Sequence, residues 1–151
     1  MARYLLHIRT TMPPAEAFAY MADMTNFAEW DPGVDRAVQV EGDEPAPGAA
    51  FDLAVKAVGR SITLRYEIVS YDAPDTFVAF AENSLLSSRD TITVRPDGSG
   101  SVVTYDAVLK LKGVFGLADP LLGLSFNQIG DRAAAGLATA LAGERVAEPA
   151  S

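Results

Sequence analysis

Alternation between apolar and polar residues runs through most of the middle of this sequence, and it constrains the fold more than any other feature. Seven segments are predicted as strands, and most of them show the period of two that is typical of a strand with one buried face. They are residues 3–11, 34–41, 50–58, 61–71, 76–82, 88–95 and 102–112. Turn sequences such as DAPD and RPDGSGS separate some of them, so consecutive strands are expected to pair antiparallel. Such a sheet has one wet face and one face that another element must cover.

The element that covers the sheet is expected to be a long helix near the end of the chain. Asp119 and Pro120 suit the first positions of a helix, and after them apolar residues recur every three or four positions. Two short helices are predicted after the first strand, one from Pro14 and one at NFAEW. The sequence therefore predicts an α+β fold in which a curved antiparallel sheet of about seven strands wraps around a long C-terminal helix. Residues 1–143 are expected to form this single domain, with residues 144–151 as a disordered tail.

Composition removes several kinds of catalytic and metal site. The chain has no cysteine, so disulfides, thiol nucleophiles and cysteine-ligated zinc are excluded. Its single histidine, His7, cannot supply a multi-histidine metal site, and the sequence has no glycine-rich phosphate loop. His7 is expected to lie exposed on the polar face of the first strand, with no role. No pair of nucleophile and base stands out, and neither a metal nor an organic cofactor is expected.

The net charge of −8 bears on partners and location. An acidic surface repels phosphate backbones and anionic lipid headgroups, so nucleic acid is not an expected partner. No apolar run reaches the roughly 20 residues of a membrane span, and the first residues lack the apolar core of a signal peptide. We therefore expect a cytoplasmic protein without stable membrane insertion. The sequence leaves open whether it is a monomer or a homodimer.

Four segments of the chain resemble the SRPBCC superfamily, also called START-like or helix-grip proteins. They are YMADMTNFAEWDPGV (20–34), YEIVSYDAPDTFV (66–78), DTITVRPDGSGSVVTYDAVLKLKG (90–113) and LADPLLGLSFNQIGDRAAAGL (117–137). Within the superfamily, the sequence is similar to the polyketide cyclase/dehydrase-like group common in actinobacteria. The resemblance implies a cavity between the sheet and the long helix, where members usually hold a hydrophobic ligand.

The inward faces of the predicted elements indicate which residues would line such a cavity. Gly130 and Ala133 lie in the middle of the helical stripe, where small side chains are expected to leave volume. The full set of expected lining residues is Trp30, Phe51, Leu53, Ile62, Leu64, Tyr66, Ile68, Asp90, Tyr105, Leu109, Leu122, Phe126, Ile129, Gly130 and Ala133. By the resemblance, Trp30 would form part of the entrance, and Ile68 stands where the aromatase/cyclases carry an arginine. The residues alone leave open a filled core, with the tyrosine hydroxyls bonded to backbone or water.

Two aspartates are candidates for a chemical role. Asp90 shares a strand face with Ile92, so it is expected to point toward the cavity near the start of its strand. Burying an ionised carboxylate alone costs several kcal/mol, so it would need a partner, for which Tyr66, Tyr105 and the amide of Asn127 are candidates. Asp90 would then be a ligand anchor or a general base; alternatively, it lies at the rim, in water.

Asp31 directly follows Trp30 and precedes Pro32, in the turn after the second short helix. Its side chain is expected to accept from nearby backbone N–H groups as an Asx-turn. The alternative is a catalytic carboxylate, which would need burial to raise its pKa toward neutral. A turn after a helix usually leaves such a group in water, so the structural role is favoured.

The function expected from these features is binding, for transport or sequestration, of a small hydrophobic ligand such as a lipid, a polyketide or an isoprenoid-like compound. The alternative is a cofactor-independent enzyme, a polyketide cyclase or dehydratase that uses Asp90 with Tyr66 or Tyr105 as acid–base residues. A third hypothesis is an accessory protein that modulates a partner protein. An Asp90 variant that stops turnover but still binds ligand would favour the enzyme, and a co-purifying hydrophobic compound would favour the carrier.

Overall fold

The order of helices and strands agrees with the order that the sequence predicts. The structure is a computed structural model that describes residues 2–57, 60–113 and 119–147, and in the last helix it describes side chains from residue 127 onward. The elements are β1 (Ala2–Thr10), α1 (Pro14–Ala22), a 3-10 turn (Met24–Asn26), α2 (Phe27–Trp30), β2 (Val34–Glu41), β3 (Ala50–Ala57), β4 (Arg60–Asp72), β5 (Thr76–Glu82), β6 (Leu86–Asp97), β7 (Gly100–Leu111), α3 (Asp119–Ala140) and β8 (Glu144–Val146).

Eight strands in the described part of the chain form one sheet, in the order β2-β3-β4-β5-β6-β7-β1-β8. Every neighbouring pair is antiparallel. Register shifts interrupt the pairing of β2 with β3 twice and that of β4 with β5 once. Such bulges bend a strand and increase its twist, which curves the sheet. The predicted antiparallel sheet with a long C-terminal helix is confirmed, and the bounds of β2 and β5 agree with the prediction to the residue.

The sheet has one strand more than predicted, because the chain returns to it after α3. Residues Glu144–Val146 form β8, which pairs with His7, Ile8 and Arg9 at the outer edge of β1. The sequence predicts a disordered tail from residue 144 onward, and for these three residues that prediction is wrong. Three residues are too few to show an alternating pattern, so no sequence signal marks this strand.

Polar contacts connect β1, β8 and α3 at this edge. The Tyr4 hydroxyl donates to Asp131 Oδ1 at 2.7 Å, and Arg145 Nη1 donates to the same oxygen at 2.9 Å. His7 is only 9% exposed, and its Nδ1 atom lies 2.8 Å from Thr104 Oγ1. The prediction of an exposed histidine is wrong because β8 pairs beside it and covers it.

α3 packs against β1 and α2, and two glycines set its distance from them. A Cβ atom on Gly130 would overlap the Tyr4 ring, and one on Gly136 would overlap the carbonyl oxygen of Trp30. The sequence predicts that small residues in the middle of this helix leave volume. For Gly130 that prediction is wrong, because the Tyr4 ring occupies the space that the missing side chain provides. The two glycines therefore serve close packing of the helix.

Candidate functional site

Four polar side chains form a continuous chain of hydrogen bonds on the otherwise apolar inner face of the sheet. The Tyr66 hydroxyl donates to Ser88 Oγ at 2.8 Å, and the Ser88 hydroxyl donates to Asp90 Oδ1 at 3.4 Å. The Tyr105 hydroxyl donates to Asp90 Oδ2 at 2.7 Å. All four residues are buried, and Asp90 is 3% exposed. We refer to Tyr66, Ser88, Asp90 and Tyr105 as the polar cluster.

The register of the sheet explains why these four side chains meet although they come from three strands. Asp90 on β6 lies between Ala79 of β5 and Ala107 of β7, and Ser88 lies opposite Ala81 of β5. The Tyr66 phenol starts on β4, so it has to pass over β5 to reach Ser88. It can do so because the inward side chains of β5 at this level are methyl groups. The same alanines surround the carboxylate with apolar groups, so its environment has a low effective dielectric constant.

Burial dominates the electrostatics of the polar cluster. Loss of hydration raises the pKa of Asp90 to about 7, although the hydrogen bonds from Tyr105 and Ser88 oppose this and the nearby Asp31 adds to it. Burial, together with the charge of Asp90, also raises the pKa of Tyr66 and of Tyr105 well above the usual value. Both phenols therefore keep their protons near neutral pH, whereas Asp90 changes its charge there.

The structure decides between the two positions considered for Asp90. The sequence places it near the start of a strand over 88–95, where a rim position in water was one alternative. β6 begins two residues earlier, at Leu86, so Asp90 lies inside the sheet and the rim alternative is wrong. Of the three candidate partners, Tyr105 bonds it directly and Tyr66 bonds it through Ser88. The side chain of Asn127 is exposed and is not among its partners.

Trp30 lies beside the polar cluster, inside the core. Its ring is 1% exposed and contacts Phe27 with a centroid distance of 4.7 Å and Tyr105 edge-on at 5.6 Å. A position at an open entrance, which the resemblance implied, is therefore wrong for this side chain. Among the described residues, no acceptor bonds the buried Nε1–H of Trp30. A buried donor without a partner is uncommon, because it loses its hydration without compensation.

Asp31 adopts the predicted Asx-turn and is nevertheless partly buried. Its Oδ1 atom accepts from the Gly33 backbone N–H at 2.8 Å. Burial raises the pKa of Asp31, while the Gly33 hydrogen bond and the charge of Lys56 lower it to a smaller extent. Because Asp31 also raises the pKa of Asp90, the two carboxyl groups interact. The expectation that this turn leaves Asp31 fully in water is wrong.

The other expected lining residues fall into three groups. Phe51, Leu53, Leu64, Ile68 and Ala133 are buried in the core, together with Gly130, and Ile62 and Leu109 pack against it half-buried. The side chains of Leu122 and Phe126 lie outside the described residues. Ile129 is 42% exposed, so its predicted inward position is wrong. The buried face of α3 runs through Gly130, Ala134 and Leu137, and Ile129 is turned about 100° away from Gly130.

Ser88 is the member of the polar cluster that sequence reasoning missed. The signal was present, since the predicted strand 88–95 begins at Ser88, which stands two residues before Asp90 and therefore shares its face. Serine is common at strand ends and carries no charge, so its pattern alone does not single it out. Its role depends on the Tyr66 hydroxyl, which arrives from a strand two places away in the sheet.

Two kinds of site are absent from the described residues. No group of three or more histidine, aspartate or glutamate side chains there is placed to hold a metal ion. No helix there combines the length and apolarity that crossing a bilayer requires. What the described geometry offers is a buried carboxyl group that titrates near neutral pH, three hydroxyl groups and an aromatic wall.

Comparison with known structures identifies the fold. A START superfamily protein from Mycobacterium smegmatis aligns with a TM-score of 0.76 at 10% identity, over 94% of this chain and 98% of that chain. The di-domain ARO/CYC StfQ from the steffimycin biosynthetic pathway aligns with a TM-score of 0.63 at 20% identity, over 93% of this chain and 50% of that chain. Ginseng major latex-like protein 151 from Panax ginseng aligns with a TM-score of 0.58 at 13% identity, over 87% and 97%. At these identities the similarity shows a START-like fold alone and carries no information about activity.

Comparison of the sequence identifies the family. A search of curated proteins returned no match. The family model described as polyketide cyclase / dehydrase and lipid transport matches residues 1–142. This match spans nearly the whole chain, including all members of the polar cluster. The chain therefore belongs to the polyketide cyclase / dehydrase and lipid transport family, within the SRPBCC superfamily.

Proposed function

We propose that this protein binds a small hydrophobic molecule, such as a lipid, a polyketide or an isoprenoid-like compound, for transport or sequestration. The ligand lies between the inner face of the sheet and α3, and the polar cluster bonds its polar atoms. The observation that carries this proposal is the complete burial of Asp90, with its partners, on an apolar face. The family description, which names both lipid transport and cyclase chemistry, is consistent with it.

The polar cluster is hard to explain as a device for folding. Replacing a buried, charged hydrogen-bonded group by apolar residues of similar size is often neutral or stabilising. The residues around it, Ala79, Ala81 and Ala107, are apolar and buried, so the polar cluster interrupts an otherwise apolar surface. Such a cost in stability is expected where the carboxylate serves an interaction with a ligand. Ligand pockets typically combine an apolar lining with a few convergent polar groups of this kind.

A second candidate function rests on the pKa of Asp90. A general acid or base works best when its pKa is near the working pH, and the pKa of Asp90 is about 7. With Tyr66 or Tyr105 as a second proton donor, the polar cluster could support closure or dehydration of a polyketide-like substrate without a cofactor. This enzyme would use the same site as the carrier, so the two functions differ in turnover and share ligand binding.

Binding is tested with a neutral hydrophobic fluorophore, N-phenyl-1-naphthylamine, titrated into the purified protein. The single tryptophan lies against the polar cluster, so saturable uptake should also change the emission of Trp30. Ala81→Leu adds bulk beside Ser88 and is expected to abolish uptake, while Val78→Leu on the outer side of the same strand should not. Thermal melting establishes that both variants are folded. Absence of saturable uptake by the native protein would refute the proposed function.

Native mass spectrometry and one variant separate the carrier from the enzyme. The carrier predicts that a hydrophobic compound co-purifies with the protein. The mass of that compound should be the same before binding and after release. The enzyme predicts that Asp90→Asn abolishes conversion of a polyketide-like substrate while N-phenyl-1-naphthylamine still binds. Conversion that survives in Asp90→Asn would exclude the acid–base role of this residue.

A further inference from the structure

We infer that the polar cluster selects ligands by the charge of their polar end: it accepts neutral oxygen groups such as hydroxyl, phenol or ketone, and it rejects carboxylates. This inference rests on the proposed function and narrows its ligand class. It would separate a neutral lipid alcohol or polyphenol from a fatty acid of similar size. Two features of the described residues support the rejection of carboxylates: the direction of the hydrogen bonds and the absence of a neighbouring cation. A third, the unpartnered indole donor of Trp30, offers a hydrogen bond to the neutral oxygen.

The hydrogen bonds of the polar cluster all point toward Asp90. Tyr66 donates to Ser88, and Ser88 and Tyr105 donate to Asp90, so these three protons are already used. What remains for a ligand on the two phenols is their oxygen lone pairs, which accept hydrogen bonds. A ligand hydroxyl can donate to such an oxygen, whereas a carboxylate has no proton to donate. A carboxylate would bring two more acceptors to a cluster that has spent its donors.

The indole of Trp30 supplies a neutral donor beside these acceptors. Its Nε1–H is buried and has no acceptor among the described residues, and its ring contacts the Tyr105 ring. A hydroxyl or ketone oxygen placed against it would satisfy this donor, which otherwise stays unpaired at a cost in free energy. A hydroxyl group can accept from the indole and donate to a phenol oxygen at the same time. A hydroxyl therefore matches the site in both directions, and a ketone oxygen can satisfy the indole donor without adding a charge.

The charges around the polar cluster repel an anion. Asp31 acts on it from the turn after α2, and the two phenols, on β4 and β7, are uncharged near neutral pH. Asp106 on β7 also contributes negative potential, although it points outward and pairs with Arg3. Among the described residues, no lysine or arginine bonds any member of the polar cluster. A buried carboxylate ligand would meet like charge without a compensating cation, which is unfavourable at low effective dielectric constant.

The basic side chains near this part of the sheet are engaged elsewhere. Arg65 on β4 pairs with Asp52, and the Arg89 guanidinium on β6 lies over the Phe80 ring at 5.0 Å. Both arginines are exposed, because they alternate with the inward residues of their strands. The charge of Lys56 lowers the pKa of Asp31, and Lys56 forms its ion pair with Asp35. These two arginines therefore lie on the outer face of the sheet, away from the polar cluster.

The test compares 2-naphthol with 2-naphthoate, which differ chiefly in the charge of the polar end. A carboxyl group titrates at about pH 4 and a phenol at about pH 10, so between about pH 5.5 and 8 the first is an anion and the second is neutral. Each compound is titrated against bound N-phenyl-1-naphthylamine. At about pH 8, where Asp90 is ionised, we expect 2-naphthol to bind at least about tenfold more tightly, equivalent to about 1.4 kcal/mol.

Two changes should reduce this selectivity. Asp90→Asn removes the charge and keeps an acceptor for Tyr105, so 2-naphthoate should gain affinity relative to 2-naphthol. Asp52→Asn, which removes a carboxylate on the outer face, is the matched control and should leave the ratio unchanged. In the native protein, lowering the pH to about 5.5 neutralises Asp90 and should reduce the ratio in the same way. The pH comparison needs no variant, so it stands even where Asp90→Asn fails to fold.

Two results would overturn the inference and leave the proposed function intact. Both assume that the protein binds N-phenyl-1-naphthylamine. The first is equal affinity for 2-naphthol and 2-naphthoate at about pH 8. The second is a preference for 2-naphthol that neither the pH change nor Asp90→Asn alters. Failure to bind the fluorophore and both naphthalenes would instead remove the proposed function and the inference with it. A ratio that falls with both changes and persists in Asp52→Asn would support the inference.

Discussion

Asp90→Asn should make the protein more stable at alkaline pH, although it removes a residue at the centre of the candidate site. The substitution changes one oxygen to a nitrogen, so it keeps the shape of the side chain and an acceptor for the Tyr105 hydroxyl. It removes a charge that is 3% exposed and surrounded by alanine methyl groups. Where a functional site is maintained at the expense of stability, removing its functional group is expected to increase the free energy of unfolding.

The magnitude follows from the pKa of Asp90. Its value is 3.8 in the unfolded chain and about 7 in the folded protein, a difference worth about 4 kcal/mol at about 1.4 kcal/mol for each pH unit. Between these values the folded state binds more protons than the unfolded state, so the free energy of unfolding decreases as the pH rises from about 4 to about 7. Above that range the loss is complete. The new amide needs an acceptor of its own, which offsets about 1 kcal/mol and leaves a net gain of about 3 kcal/mol.

The assay is urea unfolding of the native protein, Asp90→Asn and Asp52→Asn at about pH 5 and about pH 8, followed by Trp30 fluorescence. Other carboxylates also titrate in this range, so the informative quantity is the difference between variant and native protein at each pH. We expect that difference to be larger at the higher pH for Asp90→Asn. Asp52 pairs with Arg65 at the surface, and its removal should cost at most about 1 kcal/mol. If Asp90→Asn is destabilised at the higher pH, or if its effect is the same at both, the assigned burial and charge of Asp90 are wrong.

Two further substitutions test the packing and the hydrogen bonds. Gly136→Ala gains about 1 kcal/mol of helix propensity but places a methyl group against the Trp30 carbonyl. We therefore expect the free energy of unfolding, measured with urea, to fall by about 2 kcal/mol. A stabilised variant would contradict the close approach of α3 to Trp30. Ser88→Ala leaves the Tyr66 hydroxyl without its acceptor and should lower the free energy of unfolding by about 1–3 kcal/mol. It also removes a donor to Asp90, so the pKa of Asp90 measured by NMR titration should rise, and an unchanged value would argue against the Ser88 link.

The fold could be predicted from the sequence because a buried face is a property of each strand by itself. The strands predicted over 34–41 and 76–82 have the bounds of β2 and β5, although no knowledge of their neighbours entered the prediction. The same reasoning fails for β8, since three residues carry no period and the strand is defined by its pairing with the edge of β1. It also fails for His7, whose burial depends on that strand.

The candidate site could be predicted only in part, because contacts between strands depend on register. Alternation places Tyr66, Asp90 and Tyr105 on the inner face, and all three are there. It does not reveal that Ser88 joins two of them, since that link requires a phenol to cross the alanines of β5. Nor does it reveal the rotation of α3 that exposes Ile129, because the apolar stripe of the sequence is wider than the face that packs on the sheet.

The cost of burying Asp90 and its proposed selectivity have the same physical origin. An apolar surrounding raises the pKa of the carboxyl group because charge is poorly stabilised there, and the same surrounding strengthens its repulsion of a second anion. A wetter site would keep Asp90 ionised at little cost in stability but would screen it from the ligand. Stability and selectivity should therefore change in opposite directions in any variant that alters this environment. A substitution that admits water beside Ala79 or Ala107 should lower the pKa of Asp90 and also reduce the discrimination between 2-naphthol and 2-naphthoate. A change in the pKa without a change in the discrimination, or the reverse, would show that the two do not share this origin.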